Sequence, residues 1–227
     1  MGGGVLITPL LVILLGVPIK TAISASLVAV TVTSSVSTVY YFEKKLVNVE
    51  AASYILLSVI TGSYLGAHIA ITLPSRVLKI AFGALLFIVS FLMVKKPSRT
   101  EFGEEFRFSK RFLSGCILAF TAGLSSGLFG VGGGFLLVPI MNLVIKMPLK
   151  EAIATSLVVV GGAGSTGAVV YFESGFLNPM ITSLVVMGVF FGALAGSKAM
   201  VKLKARVLRI AFVCILLYLA FKMIMGA

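Results

Sequence analysis

Aspartate is missing altogether from this 227-residue chain, histidine occurs once and cysteine twice. The seven acids are all glutamates: Glu43, Glu50, Glu101, Glu104, Glu105, Glu151 and Glu173. With no Asp pair, and no intramembrane His beside a Ser or Cys, neither aspartyl nor Ser-His catalysis has its parts. His68, Cys116 and Cys214 fall short of an ordinary zinc ligand set unless carboxylates join them. Both cysteines lie inside apolar runs and read as small core residues. A Walker A motif is lacking too, which argues against an ATP-driven pump. The inventory points away from an enzyme, and no metal or cofactor is expected.

Charge is equally scarce. Charged residues make up 11% of the chain, against about 25% in a soluble domain. Hydrophobic residues make up 59%, and the mean hydropathy is +1.15. That leaves too little polar surface to cover a globule in water. Long apolar runs between short charged clusters read instead as a polytopic helical protein in a lipid bilayer. Glycines follow Met1 directly with no basic leader, so no signal peptide is expected. The net charge of +12 reads as the positive bias of membrane loops, because every Lys and Arg lies near a segment end. The aromatic-interleaved basic stripes that single-stranded nucleic acid needs are absent, and no nucleic-acid partner is expected.

What the chain does have is an internal duplication. Gly2-Gly3-Gly4, Pro9 and Tyr41-Phe42-Glu43 recur as Gly132-Gly133-Gly134, Pro139 and Tyr171-Phe172-Glu173, at a constant offset of 130 (132 less 2). The copies align without gaps, and about a third of the pairs are identical. The predicted organisation is a first repeat over 1–94, a charged surface linker over 95–111 and a second repeat over 112–227, together one domain. Residues 112–130 precede the second glycine run and have no counterpart ahead of the first. The first repeat is therefore expected to lack its first hairpin limb, with translation from an upstream start codon as the expected cause.

Most apolar stretches approach the roughly 20 residues that cross a membrane, but 4–15 and 134–145 reach only about 18 Å. Each follows a glycine run and reads as a half-helix, the second limb of a hairpin that enters the membrane and turns back. If 112–145 is such a hairpin, fifteen of the nineteen Lys and Arg fall on one face, including Lys44, Lys45, Lys146 and Lys150. Lys20, Arg76, Lys79 and Lys222 fall on the other. A single crossing there would split them nine against ten, without the expected cytoplasmic excess. The hairpin leaves an odd number of crossings per copy, so the copies must be inverted. The predicted fold class is all-α: a polytopic helical membrane protein of two inverted repeats, each a re-entrant half-helix hairpin plus three transmembrane helices, with the linker cytoplasmic.

A glycine turn inside a membrane exposes backbone N–H groups, and the half-helix after it carries partial positive charge at its start. This makes Gly2, Gly3, Gly4, Gly132, Gly133 and Gly134 candidate anion ligands, with Pro9 and Pro139 shaping the hairpins. The competing reading is close helix packing. Ser26, Ser34, Ser35, Thr155, Ser156 and Ser165 are candidate hydroxyl donors to the same anion, or else ordinary interhelical hydrogen-bonding residues. Glu43 and Glu173 are candidates for proton coupling, or else solvated interfacial acids. Gly62-x-x-x-Gly66 and Gly188-x-x-x-Gly192-x-x-x-Gly196 read as packing faces, within the chain or in a homodimer. Gly133→Leu is expected to abolish anion flux without unfolding the protein.

At Gly127-Leu128-Phe129-Gly130-Val131-Gly132-Gly133-Gly134, Pro139 and Ala154-Thr155-Ser156-Leu157 the chain resembles the TauE/SafE sulfite exporter family. Gly2-Gly3-Gly4, Pro9 and Ala25-Ser26-Leu27 carry the same resemblance in the first copy, with Ser24-Ala25 in place of the Ala-Thr pair. The resemblance implies movement of a small sulfur-containing anion, such as sulfite or an organosulfonate, across the cell membrane. An anion channel and a non-transporting scaffold are the other readings of such a chain.

Overall fold

A computed structural model describes residues 4–94, 110–200 and 205–225, and every regular element among them is helical. The helices are α1 (Gly4–Leu15), α2 (Ile19–Glu43), α3 (Val49–Thr72), α4 (Ser75–Val94), α5 (Lys110–Phe129), α6 (Gly134–Pro139), α7 (Leu149–Glu173), α8 (Pro179–Met200) and α9 (Ala205–Met225). A π-helical turn, Ile140–Val144, continues α6. Of the linker expected over 95–111, residues 95–109 lie outside the described residues, and Lys110 and Arg111 begin α5. Three helices, Ile19–Glu43, Val49–Thr72 and Lys150–Glu173, are long and apolar enough to cross a membrane. In hydrocarbon the backbone must satisfy its own polar groups, and helices do so within each segment.

Several positions 130 residues apart share a backbone conformation. Pro18 precedes α2 at φ −54°, ψ 136°, and Pro148 precedes α7 at φ −53°, ψ 139°. Proline cannot donate, and its fixed φ suits the entry to a helix. At the far ends, Leu46 N–H donates to Tyr41 O at 3.2 Å and Phe176 N–H to Tyr171 O at 3.0 Å. These are Schellman closures, which need one left-handed residue each. Lys45 (φ 54°) supplies it in the first copy and Gly175 (φ 74°) in the second. After the short helices the roles reverse, with Gly16 at φ 64° and Lys146 at φ 66°. Asn48 then caps α3, accepting from Ala51 N–H at 3.0 Å, and Asn178 caps α8, accepting from Met180 N–H at 3.0 Å. Asparagine is a strong N-cap because its side-chain oxygen satisfies an otherwise orphaned N–H.

Glycine decides how the helices pack. A methyl group added at Gly62 would strike Phe120 O, at Gly66 or Gly123 it would strike Leu124 O or Val59 O, and at Gly127 it would strike Ser63 O. Residue numbers rise together along both helices, so α3 and α5 run parallel with their backbones in contact. Such closeness replaces the hydrophobic driving force that lipid removes. The α2–α7 contact has the opposite sense. Methyls at Gly161, Gly164 and Gly167 would meet Ser34, Thr31 and Leu27 in turn, so these equivalent helices of the two copies run antiparallel. The α3–α5 pair is tied to α7 as well: Ser63 Oγ of α3 donates to Ala163 O of α7 at 2.7 Å, and Tyr171 OH of α7 donates to Gly127 O of α5 at 3.3 Å. The first small-residue face is thus filled within the chain, while Gly188 and Gly192 meet nothing within 4 Å.

Charged residues lie at both ends of the helices. Asn48 N–H donates to Thr155 Oγ1 at 3.1 Å, which brings the end carrying Lys44 and Lys45 beside the start of α7. At the other end Lys20 Nζ donates to Ile71 O and lies 5.1 Å from the Phe176 ring centroid. Lys79 and Lys222 line one small cavity with Val12 and Ile13.

Candidate functional site

The glycine turn after α5 is built from three left-handed residues, Gly130 (φ 71°), Gly132 (φ 76°) and Gly133 (φ 68°). Side chains are disfavoured there both by conformation and by space. Cβ atoms at Gly130 and Gly133 would lie 2.9 Å from Ile23 O and 2.8 Å from Ala122 O. Gly130 N–H donates to Ser126 O at 2.8 Å, ending α5. Gly133 O then accepts from both Leu136 N–H and Leu137 N–H at 3.0 Å, starting α6. The N–H groups of Gly132, Gly133 and Gly134 find no acceptor among the described residues. The chain returns alongside α5: Gly133 lies against Ala122, and Ile145 lies against Gly115 near the start of that helix. The segment from Gly133 to Ile145 therefore runs antiparallel to α5.

The two short helices start at one place. A methyl on Gly4 would sit 2.8 Å from Gly130 O and 3.0 Å from Val131 O, so the start of α1 touches the second turn. The same methyl would meet Val30 Cγ2 at 2.7 Å, and one on Gly134 would meet Val160 Cγ2 at 3.2 Å. Val30 and Val160 are themselves related by the offset of 130 and lie mid-way along α2 and α7. From this crossing α1 runs toward the Lys20 end and α6 toward the Lys146 end. Two helix starts with partial positive charge thus converge where no charged side chain lies within the turn sequences.

Not every expected residue reaches this place. Gly2 and Gly3 lie outside the described residues. Ser26 arrives, buried, but its hydroxyl donates to Gly130 O at 2.8 Å and reaches Gly4 O at 3.3 Å. It ties the two turns together and its proton is committed to backbone. Ser34 is buried against Gly161 and donates to Thr31 O at 3.0 Å. Thr155 accepts from Asn48 at the end of the bundle, and Ser156 donates to Ile153 O at 2.8 Å within its own helix. Ser35 and Ser165 are exposed and bonded back to Thr31 O and Gly162 O, so the structure does not bring them to the turns.

Glu43 and Glu173 are exposed at the last residues of α2 and α7. Pro9 is buried within α1, whereas Pro139 is exposed where α6 passes into the π-helical turn. The missing proline N–H and the ring both disturb an α-helical ladder at Pro139, although the equivalent Pro9 stands within the regular helix α1. The tolerance expected of Gly133→Leu is corrected by the geometry: with φ 68° and Ala122 O at 2.8 Å, a side chain there strains the fold itself.

Residues that sequence reasoning passed over are also here. Thr8 Oγ1 donates to Phe129 O at 3.3 Å, joining α1 to the end of α5. Ser24 Oγ donates to Phe176 O at 3.1 Å. Ser126 is fully buried, and its hydroxyl has no partner among the described residues. The identity of Val30 and Val160 across the repeat was the available signal for the crossing point; the serines carry none. Among the described residues no group of three or more His, Cys, Asp or Glu lies together to hold a metal.

The chain matches the family model described as sulfite exporter TauE/SafE over residues 1–223. It is 30% identical to the probable membrane transporter protein YunE of Bacillus subtilis over 241 aligned positions, covering 95% of this chain and 88% of that protein. A probable membrane transporter protein of Xylella fastidiosa is 31% identical, with 90% of this chain and 79% of that one covered. The archaeal relative MJ0441 of Methanocaldococcus jannaschii, also described as a probable membrane transporter, is 27% identical, with 95% and 85% covered. No solved structure matches the chain. On a match that runs through both glycine turns and nearly to the last residue, the chain belongs to the TauE/SafE sulfite exporter family.

Proposed function

We propose that this protein is a secondary transporter, working as an exporter, of a small sulfur-containing anion such as sulfite or an organosulfonate. The two repeats are inverted in the cell membrane, and each glycine turn is the tip of a re-entrant hairpin. Gly4 with its neighbours Gly2 and Gly3, and Gly132 to Gly134, hold the anion near the midplane. Alternating access follows from rocking of one repeat against the other about that point. The linker is cytoplasmic, in keeping with the excess of Lys and Arg on its face.

The observation that carries this reading is the meeting of Gly4 with Gly130 and Val131 between Val30 and Val160. It brings opposed short helices together with free N–H groups and no lysine or arginine. Backbone donors of that kind bind an anion without holding it as tightly as a buried ion pair would. The antiparallel α2–α7 contact supports inversion, because equivalent helices of repeats sharing one orientation would run the same way. Membrane potential favours anion exit by about 2.3 kcal/mol per charge per 100 mV.

Counterflow in proteoliposomes tests the proposal. Labelled sulfite uptake should be saturable and accelerated by sulfite trapped inside. Flux without counterflow stimulation would assign a channel, and no flux of sulfite, sulfate or methanesulfonate would overturn anion transport. Gly134→Ala is the site variant of choice. Its Cβ meets only Val160 Cγ2 at 3.2 Å and its φ is not left-handed, so the fold tolerates it. A methyl beside the free N–H groups should lower flux at least roughly ten-fold; wild-type flux would remove the glycine turn from the site.

A further inference from the structure

We infer that the Ser126 hydroxyl is a direct hydrogen-bond donor to the transported oxyanion, an inference that rests on the transport reading above. Ser126 lies in the last turn of α5 with 0% of its surface exposed, and its Oγ has no hydrogen-bond partner among the described residues. Serines in apolar helices ordinarily bond back to a carbonyl three or four residues earlier. Many hydroxyls in this chain do so: Ser125 to Ala122 O at 2.8 Å, Ser90 to Leu86 O at 2.8 Å, and Ser37 to Thr33 O at 2.9 Å. Ser126 does not. The carbonyl four residues before it is Ala122 O, which already takes the Ser125 hydroxyl and is pressed by Gly133. A buried hydroxyl left unpaired is unfavourable, so an incoming acceptor would be a favourable partner for it.

The place is right for an anion. A methyl on Gly133 would lie 3.6 Å from Ser126 Cβ, so the serine sits directly under the turn whose N–H groups lack acceptors. Successive left-handed and right-handed residues turn neighbouring N–H groups to one side, which forms an anion-binding concavity. Four donors gather there without acceptors among the described residues, one O–H and the N–H groups of Gly132, Gly133 and Gly134, and no carboxylate stands among them. Donors without a cation and without a carboxylate suit a small ligand that presents several acceptor oxygens and a negative charge. An apolar solute would leave them unpaired. Sulfite and methanesulfonate both carry three oxygens on a compact centre, enough to meet the hydroxyl and two N–H groups together.

The test is Ser126→Ala, with Ser125→Ala as the control whose hydroxyl is already satisfied. In the absence of ligand, Ser126→Ala should leave the thermal midpoint in detergent unchanged or raised, because the removed group has no partner. Its KM for sulfite counterflow should rise roughly ten- to hundred-fold, the loss expected for a hydrogen bond to a charged ligand. Thermal protection by sodium sulfite should fall with it, while Ser125→Ala keeps wild-type KM and protection. A wild-type KM in Ser126→Ala, with Gly134→Ala still defective, would overturn the role of Ser126 and leave the transport site standing. A lower thermal midpoint for ligand-free Ser126→Ala would show a structural partner and overturn it as well. A wild-type protein that neither moves nor is protected by any of the three anions would remove both readings together.

Discussion

The Ser26 hydroxyl donates to the Gly130 carbonyl at 2.8 Å, linking positions 104 residues apart, and approaches Gly4 O at 3.3 Å. One side chain in the first repeat thereby holds the turn of the second and the start of its own short helix. Ser26→Ala leaves Gly130 O buried without that donor, which should cost about 1–2 kcal/mol. A fall in thermal midpoint together with lower sulfite flux is the expected result. Full stability would mean that the two turns are held by packing alone.

Glycine faces of the same spacing should answer differently to the same change. At Gly127 a methyl collides with Ser63 O across the parallel α3–α5 contact, where neither backbone can retreat. Gly127→Ala should destabilise by about 1–3 kcal/mol through overpacking. At Gly188 a methyl meets nothing within 4 Å, so Gly188→Ala should be neutral or stabilising by up to ~1 kcal/mol. Denaturation of the two variants in the same detergent compares them directly.

Lys45 holds a left-handed conformation (φ 54°) at the position where the second repeat has Gly175. A residue with a Cβ is strained there by about 1–2 kcal/mol relative to its preferred regions. Lys45→Gly should therefore stabilise the end of α2 by roughly 1 kcal/mol, after the extra unfolded-chain freedom of glycine is set against the relief. Slower amide exchange at Leu46, whose N–H closes the turn on Tyr41 O, would report the effect locally.

Glu43 and Glu173 end α2 and α7, thirteen residues beyond Val30 and Val160, or about 20 Å along each helix. Both are exposed. Solvated carboxylates at that distance exert little field on the glycine turns at physiological salt. The double variant Glu43→Gln with Glu173→Gln should keep the wild-type pH profile of sulfite flux. A profile that flattens would assign the coupling proton to this pair.

Much of this architecture is readable in one dimension because its causes are local. Apolar runs must be helical in lipid, Pro18 and Pro148 start helices, and Asn48 and Asn178 cap them. The offset of 130 then predicts that each turn recurs, as Lys45 with Gly175 and Gly16 with Lys146 show. Short apolar segments after glycine runs likewise point to helices that start within the bundle.

Which side chain meets which was decided only by the tertiary structure. Ser26, Ser35, Ser126 and Ser165 all stand in apolar helices, and composition treats them alike. Packing commits Ser26 to Gly130, turns Ser35 and Ser165 outward and leaves Ser126 unpaired beneath Gly133. The glycine faces divide in the same way, one filled by α5 and one open. Lipid and protein interior are both apolar, so hydropathy along the chain cannot separate a surface facing one from a surface facing the other. Local backbone chemistry thus set the helices and their ends, and long-range contact set the partners of their polar groups.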